Sequence, residues 1–146
     1  MEYMKIAVDF DGTIVEHEYP RIGKTKIFAF ETLKLLKENK HQLILWTFRS
    51  GKTLDEAVEF CKKNGIEFFA INGNFKGEKY DGSFSRKVNA DIFIDDRNIG
   101  GFPGWNIVWE ILKPDSKLNP LDENIYWKAW EESKDNKKKK KFLGLF

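Results

Sequence analysis

At 146 residues, 41% of them hydrophobic and 15% aromatic, the chain is expected to fold as one domain around one core. Charged residues make up 33% and the net charge is +2, so the overall charge gives no case for nucleic acid as a partner. The single cysteine, Cys61, excludes an internal disulfide and a cysteine-built zinc site, and it fits a reducing, cytoplasmic setting.

The N-terminal MEYMKIAVDF lacks the long apolar stretch of a signal peptide and reads as the approach to a strand. Lys5–Phe10 (KIAVDF) reads as that strand, buried and ending in acids. Gly12 and Thr13 turn the chain, and residues 14–26 read as a loop or small hairpin. Over Ile27–Lys40 the spacing predicts a helix with Phe28, Thr32, Leu35 and Leu36 on one face. Gln42–Trp46 (QLILW) is a second strand. Thr53–Asn64 is an amphipathic helix carrying Leu54, Val58 and Cys61 on one stripe, stopped by Gly65. Phe68–Ile71 is a third strand, Asn72–Phe84 a Gly- and Lys-rich loop, and Asp91–Ile94 (DIFI) a fourth strand. It runs into Asp95 and Asp96. After the turn at Gly100–Gly104, Trp105–Leu112 and Leu121–Ser133 read as helices. Trp105, Trp109, Trp127 and Trp130 are expected on faces packed against the sheet. From Lys134 the composition changes, with five consecutive lysines at Lys137–Lys141, and the end reads as a disordered, solvated tail. The sharper alternative for it is contact with an anionic membrane surface.

Strands alternating with helices predict an α/β fold with a parallel sheet covered on both faces. Ligands of such sheets sit at the carboxyl ends of the strands. Asp9 and Asp11, Thr47, and Asp95 with Asp96 all fall at such ends. Four carboxylates at one sheet edge repel one another and call for a counter-charge. A hard divalent cation with oxygen ligands, Mg²⁺ above all, is the simplest one. A phosphoryl group arriving there needs further donors, for which Thr47 offers a hydroxyl and Lys87 a charge.

Taken in order, DFDGTI at Asp9–Ile14, LILWT ending at Thr47, Lys87, and IFIDD ending at Asp96 resemble the four motifs of the haloacid dehalogenase superfamily of phosphotransferases. The stretch Lys87–Arg97 (KVNADIFIDDR) is also similar to small nucleotidases of that superfamily. The resemblance covers Lys5 to Asp96. It implies a three-layer, Rossmann-like, doubly wound sheet and a Mg²⁺-dependent phosphohydrolase working through an aspartyl-phosphate. Asp9 would be the nucleophile, and Asp11 the group that protonates the leaving oxygen and then takes a proton from water. The Asp9 carboxylate, the Asp11 backbone carbonyl and Asp95 would hold Mg²⁺, with Asp96 behind or in place of Asp95. Thr47 and Lys87 would bind the phosphoryl oxygens, Lys87 being preferred over Lys76 and Lys79. This chemistry is consistent with a carboxylate nucleophile that splits hydrolysis into two easier steps.

The intervals Asp11–Thr47 and Thr47–Lys87 are each filled by the elements already assigned, so no cap domain is expected. Specificity would then fall to residues 15–25, with Glu16, His17, Tyr19 and Arg21, and to the loop Asn72–Phe84. Arg49 and Arg97 are candidate contacts to a second anionic group of the substrate. His17 and His41 are too isolated to be proposed as ligands. The expected substrate is a small or medium phosphate ester, a sugar phosphate or a nucleotide, and an open site leaves room for a second subunit as its cover. Two competing readings use similar residues. In a phospho-aspartate receiver domain the modified acid ends a middle strand, whereas here that strand ends in Thr47. A phosphate-binding module without turnover would not need Asp9, Asp11, Thr47 and Lys87 together.

Overall fold

A computed structural model describes residues 3–142 of the chain. The first six elements are β1 (Lys5–Val8), α1 (Ala29–Glu38), β2 (Gln42–Leu45), α2 (Gly51–Lys63), β3 (Ala70–Ile71) and β4 (Ile92–Ile94). Two helices follow, α3 (Trp105–Leu112) and α4 (Ile125–Phe142). The four strands form one all-parallel sheet in the order β3-β2-β1-β4, an α/β arrangement of Rossmann-like kind. The chain divides after Phe102 into two compact units, where the sequence predicts one domain to residue 133. The sheet and every candidate site residue lie in the first unit.

Register decides what meets at the sheet edge. Val8 pairs with Leu45 on one side and with Ile94 on the other. One residue further along, Asp9 therefore stands level with Trp46 and Asp95. The ladder carries one step past the strands, through Asp9 N–H to Ile94 O (3.0 Å) and Trp46 N–H to Val8 O (2.9 Å). The order reverses at β1, whose neighbours β2 and β4 leave in opposite directions, and open parallel sheets bind ligands at such a point.

Both faces of the central strands β1 and β2 are buried, as a parallel sheet requires. Ile6, Val8, Leu43 and Leu45 alternate with Ala7 and Ile44, and all six are buried. Ala7, Ile44 and Ala70 form one cluster with Val88, flanked by Trp46, Ala90 and Phe93. A stretch of the β3–β4 connection thus packs on this face. Near the end of β1, the Phe10 ring meets Phe60 of α2 edge-on at 6.1 Å, and Phe60 meets Phe30 of α1 at 5.9 Å.

Three expectations change here. The buried face of α1 is Ala29, Phe30, Thr32, Leu33 and Leu36, and Phe28 and Leu35 are exposed. Phe28 takes φ 65, so the helix begins at Ala29, two residues later than predicted, and Phe30 and Leu33 join Thr32 and Leu36 on the buried face in place of Phe28 and Leu35. Trp127 and Trp130 are exposed and pair edge to face with each other at 6.2 Å. Finally, α4 runs on through Lys134 to Phe142, where a disordered tail is expected. Lysine has good helix propensity and the run contains no breaker. The last part of that tail, residues 143–146, lies outside the described residues. No helix among the described residues is long and apolar enough to cross a membrane.

Candidate active site

The strand β1 ends at Val8, and the next residues turn tightly. The Phe10 carbonyl accepts from the N–H groups of Thr13, Ile14 and Val15. Residues 14–26, expected as a loop or small hairpin, return as a small hairpin tied by Glu16 N–H to Lys24 O and Lys26 N–H to Ile14 O. Inside this turn Gly12 has φ +84, and a Cβ there would stand 2.0 Å from Asp96 Oδ2. Only glycine lets the Asp96 carboxylate approach so closely.

The register and the glycine together bring Asp9, Asp95 and Asp96 into one group. One carboxylate oxygen from each lies within 4.8 Å of the others. Asp9 Oδ2 accepts from the buried Thr13 hydroxyl at 3.3 Å. Asp95 Oδ1 accepts the Arg97 N–H at 2.8 Å, and its carbonyl accepts from Asn98. Asp96 Oδ1 is buried and has no hydrogen-bond partner. The Asp9 carboxyl is pushed up to about 8, first by burial, then by the Asp95 charge and by its hydrogen bond with Asp96. Three crowded acids with an orphaned buried oxygen fit a hard cation. Mg²⁺ takes oxygen ligands and keeps several waters, so a few carboxylates suffice.

Asp11 does not join this group. Its two oxygens accept from Arg49 Nε and Nη2, each at 2.7 Å. The remaining Arg49 donors go to the carbonyls of Pro20 and Thr53 (both 3.2 Å) and of Arg21 (2.9 Å). All five guanidinium N–H groups are thus committed. The group also lies over the Phe10 and Tyr19 rings, at 5.1 and 5.2 Å. Arg49 is 1% exposed. This corrects the sequence expectation that Arg49 grips a second anionic group of the substrate, since it has no donor left to offer. Arg97, in contrast, is exposed and stands at the pocket.

The other half of the site comes from the end of β2. Thr47 N–H donates to Asn72 Oδ1 at 2.8 Å, and Thr47 Oγ1 accepts the Arg49 N–H at 3.2 Å. A hydroxyl that accepts in this way still has its own proton to donate. A pocket of about 560 Å³ is lined by Asp9, Asp11, Thr47, Asp95 and Arg97, together with His17, Tyr19, Trp46 and Phe48. Lys87 is not among its lining. It is exposed, with Nζ 4.9 Å over the Phe93 ring, so the structure brings Asp9, Asp11, Thr47 and Asp95 to one pocket and leaves Lys87 outside it. Of the two loops proposed for specificity, the hairpin contributes His17 and Tyr19, and residues 73–84 contribute nothing to the lining. Sequence reasoning did not find the roles of Thr13, Asn72 and Arg49. For Arg49 the one available signal is its place two residues after Thr47.

No protein-family model matches the chain, and no curated protein matches it. Among solved structures, a conserved protein of Bacteroides thetaiotaomicron is 59% identical, with a TM-score of 0.72. The match covers 77% of this chain and 91% of that one. On that identity and coverage, the chain belongs to the same protein family as this conserved Bacteroides thetaiotaomicron protein.

Proposed function

We propose that the chain is a Mg²⁺-dependent phosphohydrolase of haloacid dehalogenase type, a three-layer, capless cytoplasmic enzyme that forms an aspartyl-phosphate on Asp9. The observation that carries this reading is the convergence of Asp9, Asp95 and Asp96 at the carboxyl ends of neighbouring strands, with the Asp96 Oδ1 buried and unpaired. These three carboxylates, with the Asp11 carbonyl, would hold the ion. Bound there, it would neutralise charge as an anionic nucleophile meets an anionic ester.

An Asp9 oxygen attacks phosphorus, and the bond to the leaving oxygen breaks as Asp11 gives it a proton. Water then attacks the phosphorus of the acyl phosphate, Asp11 takes the proton back, and inorganic phosphate leaves. Both Asp11 oxygens accept from Arg49 in this structure, so delivering a proton requires one of them to turn from the guanidinium into the pocket. The Thr47 hydroxyl donates to a phosphoryl oxygen. Lys87, whose exposed side chain lies over Phe93 outside the pocket lining, is the proposed second phosphoryl contact and would have to swing from that ring to reach it.

The purified chain is expected to hydrolyse nitrophenyl phosphate with Mg²⁺, to stop in EDTA, and to recover when Mg²⁺ is returned. Asp9→Asn should leave no measurable turnover, and beryllofluoride should bind on Asp9. Full activity in chelator, or an active Asp9→Asn, refutes the proposal. Lys87→Ala should raise KM for phosphate esters more than Lys76→Ala does; equal effects would remove Lys87 from the site.

A further inference from the structure

We propose that this pocket takes a phosphate monoester whose leaving group carries a flat aromatic ring. The inference rests on the phosphohydrolase reading of the same pocket and names its substrate class. Four of the nine lining residues are planar: His17, Tyr19, Trp46 and Phe48. Their positions follow from the acids. Trp46 stands level with Asp9 by register, and Phe48 directly follows Thr47, the proposed phosphoryl donor. A group esterified to a phosphate at Asp9 and Thr47 therefore shares its pocket with these four rings.

Phe48 is 91% exposed although it lies at a pocket. A large apolar side chain held in water at a site mouth offers surface that a ligand can cover. Its ring meets Tyr19 at 6.4 Å with planes 73° apart, an edge-to-face pair. Tyr19 is backed by the Arg49 guanidinium at 5.2 Å. That cation is itself buried and saturated with hydrogen bonds, so the Tyr19 ring has a fixed support. The result is a braced corner of two rings, suited to a flat partner that stacks on one and meets the edge of the other. A bare sugar is a poorer fit. Its hydroxyls need several fanned hydrogen-bonding groups, and beyond the acids and Thr47 the lining offers only His17, the Tyr19 hydroxyl, the Trp46 indole N–H and Arg97.

The test compares matched pairs of esters on the full-length chain with Mg²⁺. Adenosine 5′-phosphate and ribose 5-phosphate share a leaving alkoxide and differ by the base. Benzyl phosphate and cyclohexylmethyl phosphate share a size and differ in flatness. The ring-bearing member of each pair should have kcat/KM about tenfold higher or more, the scale of base–aromatic stacking. Phe48→Ala and Tyr19→Ala should each shrink that ratio, and Phe48→Trp should keep it. A larger ratio in the first pair identifies the ring as a nucleobase, and a larger one in the second identifies a small aryl group. Ratios near one in both pairs, or ratios indifferent to Phe48→Ala, overturn the inference and leave the phosphohydrolase reading intact. If no ester turns over, the phosphohydrolase reading falls, and calorimetric titration of the chain with adenosine 5′-phosphate against ribose 5-phosphate still decides the ring preference.

Discussion

At the scale of single residues, Asp9 carries the strongest electrostatic conflict in the site. Burial and the neighbouring Asp95 and Asp96 push its carboxyl up to about 8, against an ordinary 3.8. A group whose folded pKa is raised favours the fold when protonated. Its contribution is complete below about 3.8 and is lost as pH rises towards about 8. Asp9→Asn keeps the shape and cannot ionise. In chelator, the variant's Tm should therefore gain on wild type steadily from pH 4 to pH 8. In Mg²⁺ the gain should shrink, because the cation supplies the missing counter-charge. A difference that stays flat with pH would show that Asp9 is not in conflict. Gly12 gives a second test of the same group. With φ +84 and Asp96 Oδ2 2.0 Å from a built Cβ, Gly12→Ala must displace the Asp96 carboxylate. We expect a stability loss of at least about 1 kcal/mol from the backbone alone. We also expect Mg²⁺ no longer to raise Tm; a normal Mg²⁺ response would separate Asp96 from the ion.

At the scale of elements, Arg49 joins parts that are distant in sequence. It sits between β2 and α2, holds Asp11 from the turn after β1, and takes the carbonyls of Pro20 and Arg21 in the hairpin and of Thr53 in α2. Arg49→Ala leaves Asp11 and three carbonyls without that partner. Breaking a buried pair on one side costs about 3–5 kcal/mol. Arg49→Lys keeps a charge but not the planar fork that grips both oxygens. Its activity should fall more on alkyl phosphates than on nitrophenyl phosphate, since only the poor leaving group needs the Asp11 proton. Equal losses on both would mean that Arg49 acts on stability alone. None of this web is readable from the sequence, because its acceptors are mostly backbone carbonyls and every residue has one. What is readable is local: apolar runs KIAV, QLIL and IFI, each short enough for a buried strand and each leading to Asp9, Thr47 or Asp95. Their alignment then follows from parallel pairing. The start of α1 is not legible for a local reason too, since nothing in the pattern announces the left-handed Phe28. Order along the chain singles out Lys87, but order does not say where a long flexible side chain in a loop points.

At the scale of the molecule, every proposed ligand of the ion lies before the division at Phe102. On the proposed reading Mg²⁺ would bind the folded state through Asp9, Asp95 and Asp96, which are apart in the unfolded chain, so its binding should add to stability by mass action. At a hundred times its Kd the ion contributes about 2.7 kcal/mol. Hydrogen exchange can say where that free energy goes, because local openings are protected only if they disrupt the site. The pairs most exposed to this test are Asp9 N–H to Ile94 O, Trp46 N–H to Val8 O and Arg97 N–H to Asp95 Oδ1, all at the carboxyl end of the sheet. Their exchange should slow in Mg²⁺. Asn39 N–H to Leu35 O, at the far end of α1, should change only as far as global unfolding is suppressed. In Asp96→Asn, the slowing at Asp9, Trp46 and Arg97 should be lost together if the proposed ion is held by the acids at the ends of β1 and β4. Slowing confined to α3 and α4 would put the ion elsewhere and remove the acid group from the proposed chemistry.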